Sequence, residues 1–199
     1  AQSLVRNSYQ NPLDTISTNA LGSACILETL RDFSKPVITV MITSDKAYDN
    51  VEWAWGYRET DRLGGKDPYS ASKGMAEIAI RSYVESYFRD TDCNIRVGIT
   101  RAGNVIGGGD WAKNRIVPDC MKSWSKKDPV EIRNPNSTRP WQHVLEPLSG
   151  YMLLAQRLFE DGANFIGGWN FGPEKQDAKP VAWVVDEICR LWGNEARYE

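Results

Sequence analysis

Histidine is nearly absent from this 199-residue chain: His143 is the only one. A multi-histidine metal centre is thereby excluded by count, and a serine–histidine–acid triad would have to be built on that single ring. The four cysteines, at positions 25, 93, 120 and 189, never form a close C-x-x-C pair. They signal neither a zinc site nor a disulfide framework and read as free thiols in a reduced compartment. Excess charge is missing too: 24 Lys and Arg against 26 Asp and Glu leave a net charge of −2. That balance gives no electrostatic footprint for nucleic acid or an anionic membrane surface, so neither is expected as a partner. No stretch approaches the roughly 18 uninterrupted apolar residues of a spanning helix, and the N-terminus shows no basic cluster with a hydrophobic signal region. A cytoplasmic location is the expectation.

One further absence is specific. A dinucleotide-binding domain opens with strand, glycine-rich turn and helix, and places an acidic residue at the end of the next strand. Nothing here fits: Gly107-Gly108-Gly109-Asp110 follows a strand but lacks the glycine spacing and comes late in the chain. The chain opens inside what reads as a strand-to-helix connection and stops just after a helix. It is therefore expected to be an internal piece, with the first two or three βα units missing.

What is present alternates. Small or apolar residues at 16, 20, 24, 27 and 30 predict a helix over 12–33. Lys35-Pro36 breaks it, and the unbroken apolar or β-branched run 37–43 predicts a strand covered on both faces. A long loop over 44–67 follows, holding Trp53, Trp55 and Tyr57. Asp67-Pro68 offers an N-cap and a proline at the first helical position, predicting a helix over 68–89. Strands are expected at 94–100, 130–133 and 165–171, and helices at 115–126, 145–160 and 180–192. Such alternation argues for parallel βαβ units: a Rossmann-like, doubly wound α/β sheet with part of a smaller substrate-binding C-terminal region. The expected division is a partial cofactor-binding domain over 1–114 and a mixed region over 115–199. Ligands in open α/β sheets bind beyond the carboxyl ends of the strands. Residues 44–46 and 101–109 fall there.

Tyr69 and Lys73 stand four residues apart on one predicted helix. Their side chains then lie about 40° apart around the axis and roughly 6 Å along it, so both can face one ligand. A free phenol is a poor base at neutral pH. A cation about 4 Å away at an effective dielectric of about 20 is worth roughly 4 kcal/mol, up to about three pKa units before screening. The polar triplet Ser44-Asp45-Lys46, about 25 residues earlier at a strand end, adds a hydroxyl, an acid and an ammonium.

The order Ser44-Asp45-Lys46, Tyr69-x-x-x-Lys73, then Arg101-Ala102-Gly103-Asn104-Val105 resembles the extended short-chain dehydrogenase/reductase family. The stretches ITSDKAYDN, DPYSASKG, RAGNVIGGGDWA, RIVPD and RPWQHVLEPLSGYM are similar to its CDP-glucose 4,6-dehydratase branch, over nearly the whole chain. The resemblance implies a lyase in which bound NAD is reduced and reoxidised within one turnover. Tyr69 would take the proton of the sugar 4-hydroxyl, Lys73 would lower the tyrosine pKa and hold the nicotinamide ribose, and Ser44 would hydrogen-bond the 4-oxygen. Asp45 would protonate the departing 6-hydroxyl. Lys46 replaces the glutamate that dTDP-glucose relatives use as C5 base; it would act as base if its pKa falls, or as a stabiliser of the enolate.

The same resemblance places Ala102, Asn104 and Asn19 near the cofactor. It gives Asn104, Arg115 and Arg139 to the substrate, the arginines clamping a diphosphate. It further implies CDP-glucose as substrate, a homodimer through helices 12–33 and 68–89, and a place in lipopolysaccharide O-antigen biosynthesis. A sugar-nucleotide 4-epimerase and a catalytically inert fragment are the competing readings; the chain alone is expected to bind NAD very weakly and not to turn over. Trp53, Trp55 and Tyr57 either stack on a cytosine ring or pack the loop. His143 is expected to pack beneath the substrate region.

Overall fold

The computed structural model describes residues 1–90, 93–193 and 196–199. In chain order the helices are α1 (Val5–Gln10), α2 (Pro12–Ile16), α3 (Gly22–Arg31), α4 (Pro68–Tyr83), α5 (Ile116–Trp124), α6 (Leu145–Glu160), α7 (Gly162–Phe165) and α8 (Val181–Trp192). The strands are β1 (Val37–Ile42), β2 (Ile95–Ala102), β3 (Val105–Ile106), β4 (Thr138–Arg139), β5 (Gln142–His143), β6 (Gly167–Phe171) and β7 (Lys179–Pro180). π turns at Ser17–Leu21 and Val84–Phe88 join α2 to α3 and extend α4, and a 3-10 turn at Asp45–Ala47 follows β1. The chain divides into two compact units, Ala1–Ala102 with Leu145–Phe171, and Gly103–Val144 with Gly172–Glu199.

The first unit is a parallel sheet in the order β1-β2-β6. Strand β2 shows how the helices come to cover both faces. Its residues alternate, so Val97 and Ile99 face one way and Gly98 the other. Val97 and Ile99 join Leu27, Met41, Ile80, Val84, Phe88 and Ile95 in one core between the sheet and α3 and α4. On the opposite face a Cβ at Gly98 would stand 2.9 Å from both Leu154 and Leu158 of α6, so the absent side chain is what lets α6 lie on the strand. Arg96, on that same face, caps the end of α6 by donating to the carbonyls of Leu158 at 2.9 Å and Phe159 at 3.1 Å.

Helix α4 starts where the sequence says it should. The Asp67 side chain accepts from the backbone N–H of Tyr69 and of Ser70, each at 3.0 Å, and Pro68 fills the first position.

The second unit is built around Cys120, Trp124, Val130 and Val185, which bring α5 and α8 together. Strands β3 and β5 pair in parallel, and β4 pairs antiparallel with β7. The strand expected over 130–133 is not formed: Val130 makes a single bridge to Tyr198. The segment it meets is short: the Val130 N–H donates to the Arg197 carbonyl at 3.1 Å, the Ile132 N–H to the Glu199 carbonyl at 2.8 Å, and the Glu199 N–H to the Val130 carbonyl at 3.0 Å. His143 is exposed at the end of β5 rather than packed beneath neighbouring elements.

Candidate active site

The first unit gathers six of the sequence-derived residues around the start of α4. Leaving β1, the chain enters an extended Ser44 whose Oγ accepts from the Lys46 backbone N–H at 3.2 Å and donates to Asp45 Oδ1 at 3.0 Å. The Lys46 ammonium lies 3.8 Å from the same carboxylate oxygen. This hydroxyl–acid–amine turn packs directly on α4. A Cβ at Gly74 would sit 3.5 Å from the Ala47 carbonyl oxygen and 3.1 Å from that of Gly64, so helix, turn and the following loop meet at a residue with no side chain.

Tyr69 and Lys73 occupy the adjoining turns of that helix, 8% and 6% exposed. Burial pulls the Lys73 ammonium below its ordinary pKa, and the charge of Glu77, one turn further on, works against that loss. Among the described residues no side chain pairs with or hydrogen-bonds Lys73. A largely buried amine with free donors is suited to the hydroxyls of a bound ligand.

Asn19 belongs to the same constellation. It lies in the π turn, 3% exposed, and donates to Ser72 Oγ at 2.9 Å and to the Gln2 carbonyl at 2.9 Å, while its Oδ1 accepts from the Gln2 N–H at 2.8 Å. Ser72 in turn donates to the Tyr69 carbonyl at 2.7 Å. Asn19 thus ties the N-terminal segment to the helix carrying Tyr69 and Lys73. Ala102 ends β2, paired with Phe171.

The remaining predicted residues belong to the second unit. Asn104 has its Oδ1 buried without a hydrogen-bond partner among the described residues, and its carbonyl accepts from the Gln142 N–H at 3.0 Å. Arg115 stands at the N-cap of α5 with its Nε 3.1 Å from Asp110 Oδ2. Arg139 lies in β4 and donates to the Thr138 carbonyl at 3.0 Å.

Sequence reasoning missed the buried network beneath the site. Glu77, fully buried, accepts from Thr43 Oγ1 at 2.7 Å and from Arg101 Nε at 2.7 and 2.9 Å, with a further bond from Arg101 Nη2. Arg101 Nη1 also donates to the Tyr48 hydroxyl at 2.5 Å, and that hydroxyl donates to Asn170 Oδ1 at 2.7 Å. Burial pushes the Arg101 guanidinium down, but Glu77 and Tyr48 more than reverse it, leaving it above its ordinary value. Tyr48 is raised, chiefly by burial. A faint signal was available: an acid four residues after Lys73 on an apolar helix stripe, and an arginine at the end of a buried strand.

The aromatic loop residues pack as a ladder. Trp55 stacks on Trp53 at 5.4 Å, Trp53 meets Tyr57 at 5.1 Å, Tyr57 stacks on Tyr48 at 5.0 Å, and the Arg101 guanidinium lies 4.7 Å from the centre of the Tyr48 ring. Packing of the loop is the role these contacts perform.

A parallel α/β sheet with helices on both faces and polar side chains beyond the strand ends defines a Rossmann-like architecture. The family model described as GDP-mannose 4,6 dehydratase matches residues 1–170. The chain belongs to that family. It is 52% identical over 201 residues to a CDP-glucose 4,6-dehydratase of Salmonella typhimurium, covering 100% of this chain and 56% of that relative. Among solved structures it resembles a UDP-glucuronic acid 4-epimerase from Bacillus cereus in complex with UDP-glucuronic acid and NAD (TM-score 0.83, 18% identity). It also resembles DesIV, a dTDP-glucose 4,6-dehydratase from Streptomyces venezuelae with NAD bound (TM-score 0.78, 20% identity). Both likenesses cover 100% of this chain, with 59% and 58% of the respective neighbours. At such identities they speak to the fold. The chain spans little more than half the length of the relatives it matches. Among the described residues no helix is long and apolar enough to cross a membrane.

Proposed function

We propose that the protein carrying this chain dehydrates CDP-glucose to the 4-keto-6-deoxy sugar nucleotide with NAD as resident cofactor. The observation that carries the reading is the 52% identity to a CDP-glucose 4,6-dehydratase along the whole chain. The geometry is in keeping with it: two buried turns of α4 present Tyr69 and Lys73 beside the Ser44-Asp45-Lys46 turn. The buried Lys73 amine, with its donors free, fits the ribose hydroxyls of such a cofactor. NAD, when bound, accepts and later returns a hydride.

The chain's own groups move the protons. Tyr69, its phenolate favoured by the Lys73 charge, takes the 4-hydroxyl proton, and Ser44 hydrogen-bonds the same oxygen. The resulting ketone acidifies the C5 proton, for which Lys46 is either the base or the cation that stabilises the enolate. Asp45, within hydrogen-bonding reach of Ser44, delivers a proton to the departing 6-hydroxyl. Asn19 and Ala102 line the cofactor side. The Arg115 and Arg139 guanidiniums serve the nucleotide diphosphate, and Asn104, whose buried Oδ1 has no hydrogen-bond partner among the described residues, accepts from a hydroxyl of the substrate or cofactor, with residues 1–114 chiefly holding cofactor and 115–199 chiefly holding substrate.

The reading extends to a cytoplasmic homodimer acting in O-antigen biosynthesis. Leu13, Leu21 and Ile26 on one helical stretch and Met75 and Ile78 on α4 are exposed apolar residues that a second copy would cover. Light scattering at micromolar concentration should return twice the monomer mass; a monomer ends the dimer claim.

The test of function is incubation of the full-length protein with CDP-glucose. The strong alkaline absorbance of a 4-keto-6-deoxy sugar is the expected result, whereas CDP-galactose without that absorbance overturns the dehydratase reading in favour of a 4-epimerase.

A further inference from the structure

The buried pair Glu77–Arg101 lies outside the set of groups that would touch sugar or cofactor, yet each element bearing those groups runs into it. Glu77 is one helical turn past Lys73. Thr43, which donates to Glu77 at 2.7 Å, immediately precedes Ser44 and Asp45. Tyr48, which accepts from Arg101 at 2.5 Å, ends the same turn two residues after Lys46. Arg101 stands at the end of β2, and Asn170 of β6 closes the network through Tyr48 at 2.7 Å while donating to the Tyr57 carbonyl at 2.8 Å. A fully buried ion pair adds little or nothing to stability compared with apolar residues of the same volume. Its bonds here have a more specific consequence: they hold a carboxylate in place one helical turn past Lys73 and clamp both ends of the Thr43–Tyr48 turn.

We propose that Glu77, held by Arg101 and Thr43, is a positioning residue that keeps Lys73 an ammonium beside Tyr69 and fixes the Ser44-Asp45-Lys46 turn against α4. The proposal rests on the functional reading of Tyr69 and Lys73 given above. The charged groups facing Glu77 are Lys73 and Arg81 from α4, the latter at 3.9 Å, and Arg101 from β2. The turn packed on the helix adds Asp45 and Lys46, whose charges oppose each other across 3.8 Å. Glu77 is therefore the one carboxylate buried with Lys73 on α4, and burial alone drives that amine toward its neutral form.

The experiment measures the titration of Lys73 itself in the full-length protein. The pH dependence of its acetylation is followed by peptide mass spectrometry in the wild type, in Glu77→Gln and in the doubly apolar Glu77→Met/Arg101→Met. The Lys73 midpoint should fall in both variants, further in Glu77→Gln, which leaves the Arg101 charge behind, than in the double variant, which removes both charges. In turnover assays the alkaline limb of kcat should move down with it, while KM for CDP-glucose stays within about twofold. The double variant is included because it leaves no unpaired buried charge and folds if Glu77→Gln does not. An unchanged Lys73 midpoint in a folded variant overturns the proposal. If the wild type does not process CDP-glucose, the functional reading fails, and the Lys73 titration still decides the role of Glu77.

Discussion

Asn19 and Ser72 meet through a 2.9 Å hydrogen bond that joins a π turn to the helix carrying Tyr69 and Lys73. The extra residue in a π turn rotates the side chains that follow it, and here one of those in the turn is an asparagine aimed inward. All of its donors and its acceptor are used, two bonds to the Gln2 backbone and one to Ser72.

Replacing Asn19 by Leu should therefore strand the Gln2 N–H and carbonyl, while the Ser72 hydroxyl keeps its bond to the Tyr69 carbonyl. A loss of about 2–4 kcal/mol is expected, since each unsatisfied buried group costs about 1–3 kcal/mol. Urea unfolding monitored by circular dichroism gives the number. A change below about 0.5 kcal/mol, the level of an ordinary surface substitution, would contradict the burial described for this residue.

Lys73→Met separates activity from stability. Burial holds the Lys73 pKa below its unfolded value, so just below the unfolded value the unfolded chain binds the proton more tightly. Native stability rises with pH through that alkaline window, and at neutral pH the charged amine is a burden on the fold. The variant should be at least as stable as the wild type at pH 7 and should lose the alkaline rise, while turnover of CDP-glucose drops by at least about 100-fold. Thermal melts at pH 7 and pH 10 test the sign. A variant that melts well below the wild type at neutral pH would show Lys73 to be a structural cation.

Cys120 should be chemically silent. Burial pushes its thiol up to about 12, with Cys189 and Asp119 adding to the shift. The thiolate is the nucleophile, so iodoacetamide at pH 8 should label exposed Cys25 and leave Cys120 unmodified in the native protein. The same shift makes stability fall as pH climbs from the ordinary thiol value toward 12, because the unfolded chain ionises first. Rapid labelling of Cys120 under native conditions would refute the packing of α5 against α8.

The strand–helix alternation, the Asp67 cap, the extent of α6 and α8 and the resemblance carried by Ser44, Asp45, Tyr69 and Lys73 are local properties, and local patterns report them directly. A run of apolar residues or a proline after an aspartate constrains only its neighbours, and those neighbours are in view. The Glu77–Arg101 pair spans 24 residues and the Tyr48–Asn170 bond 122. Nothing in composition or spacing says which distant partner satisfies a buried charge. The failed strand at 130–133 makes the same point, for its β-branched residues have the right propensity but only the short segment 197–199 to pair with.

By itself the sequence determined which side chains stand near one another along the chain: the phenol one turn from the ammonium, the acid beside the hydroxyl. The tertiary structure alone decided which of them are dry, which charge is opposed by which, and that Asn19 closes over the base of α4. Burial and long-range pairing depend on elements far apart in the chain arriving in one place, and that arrival is a property of the packed sheet.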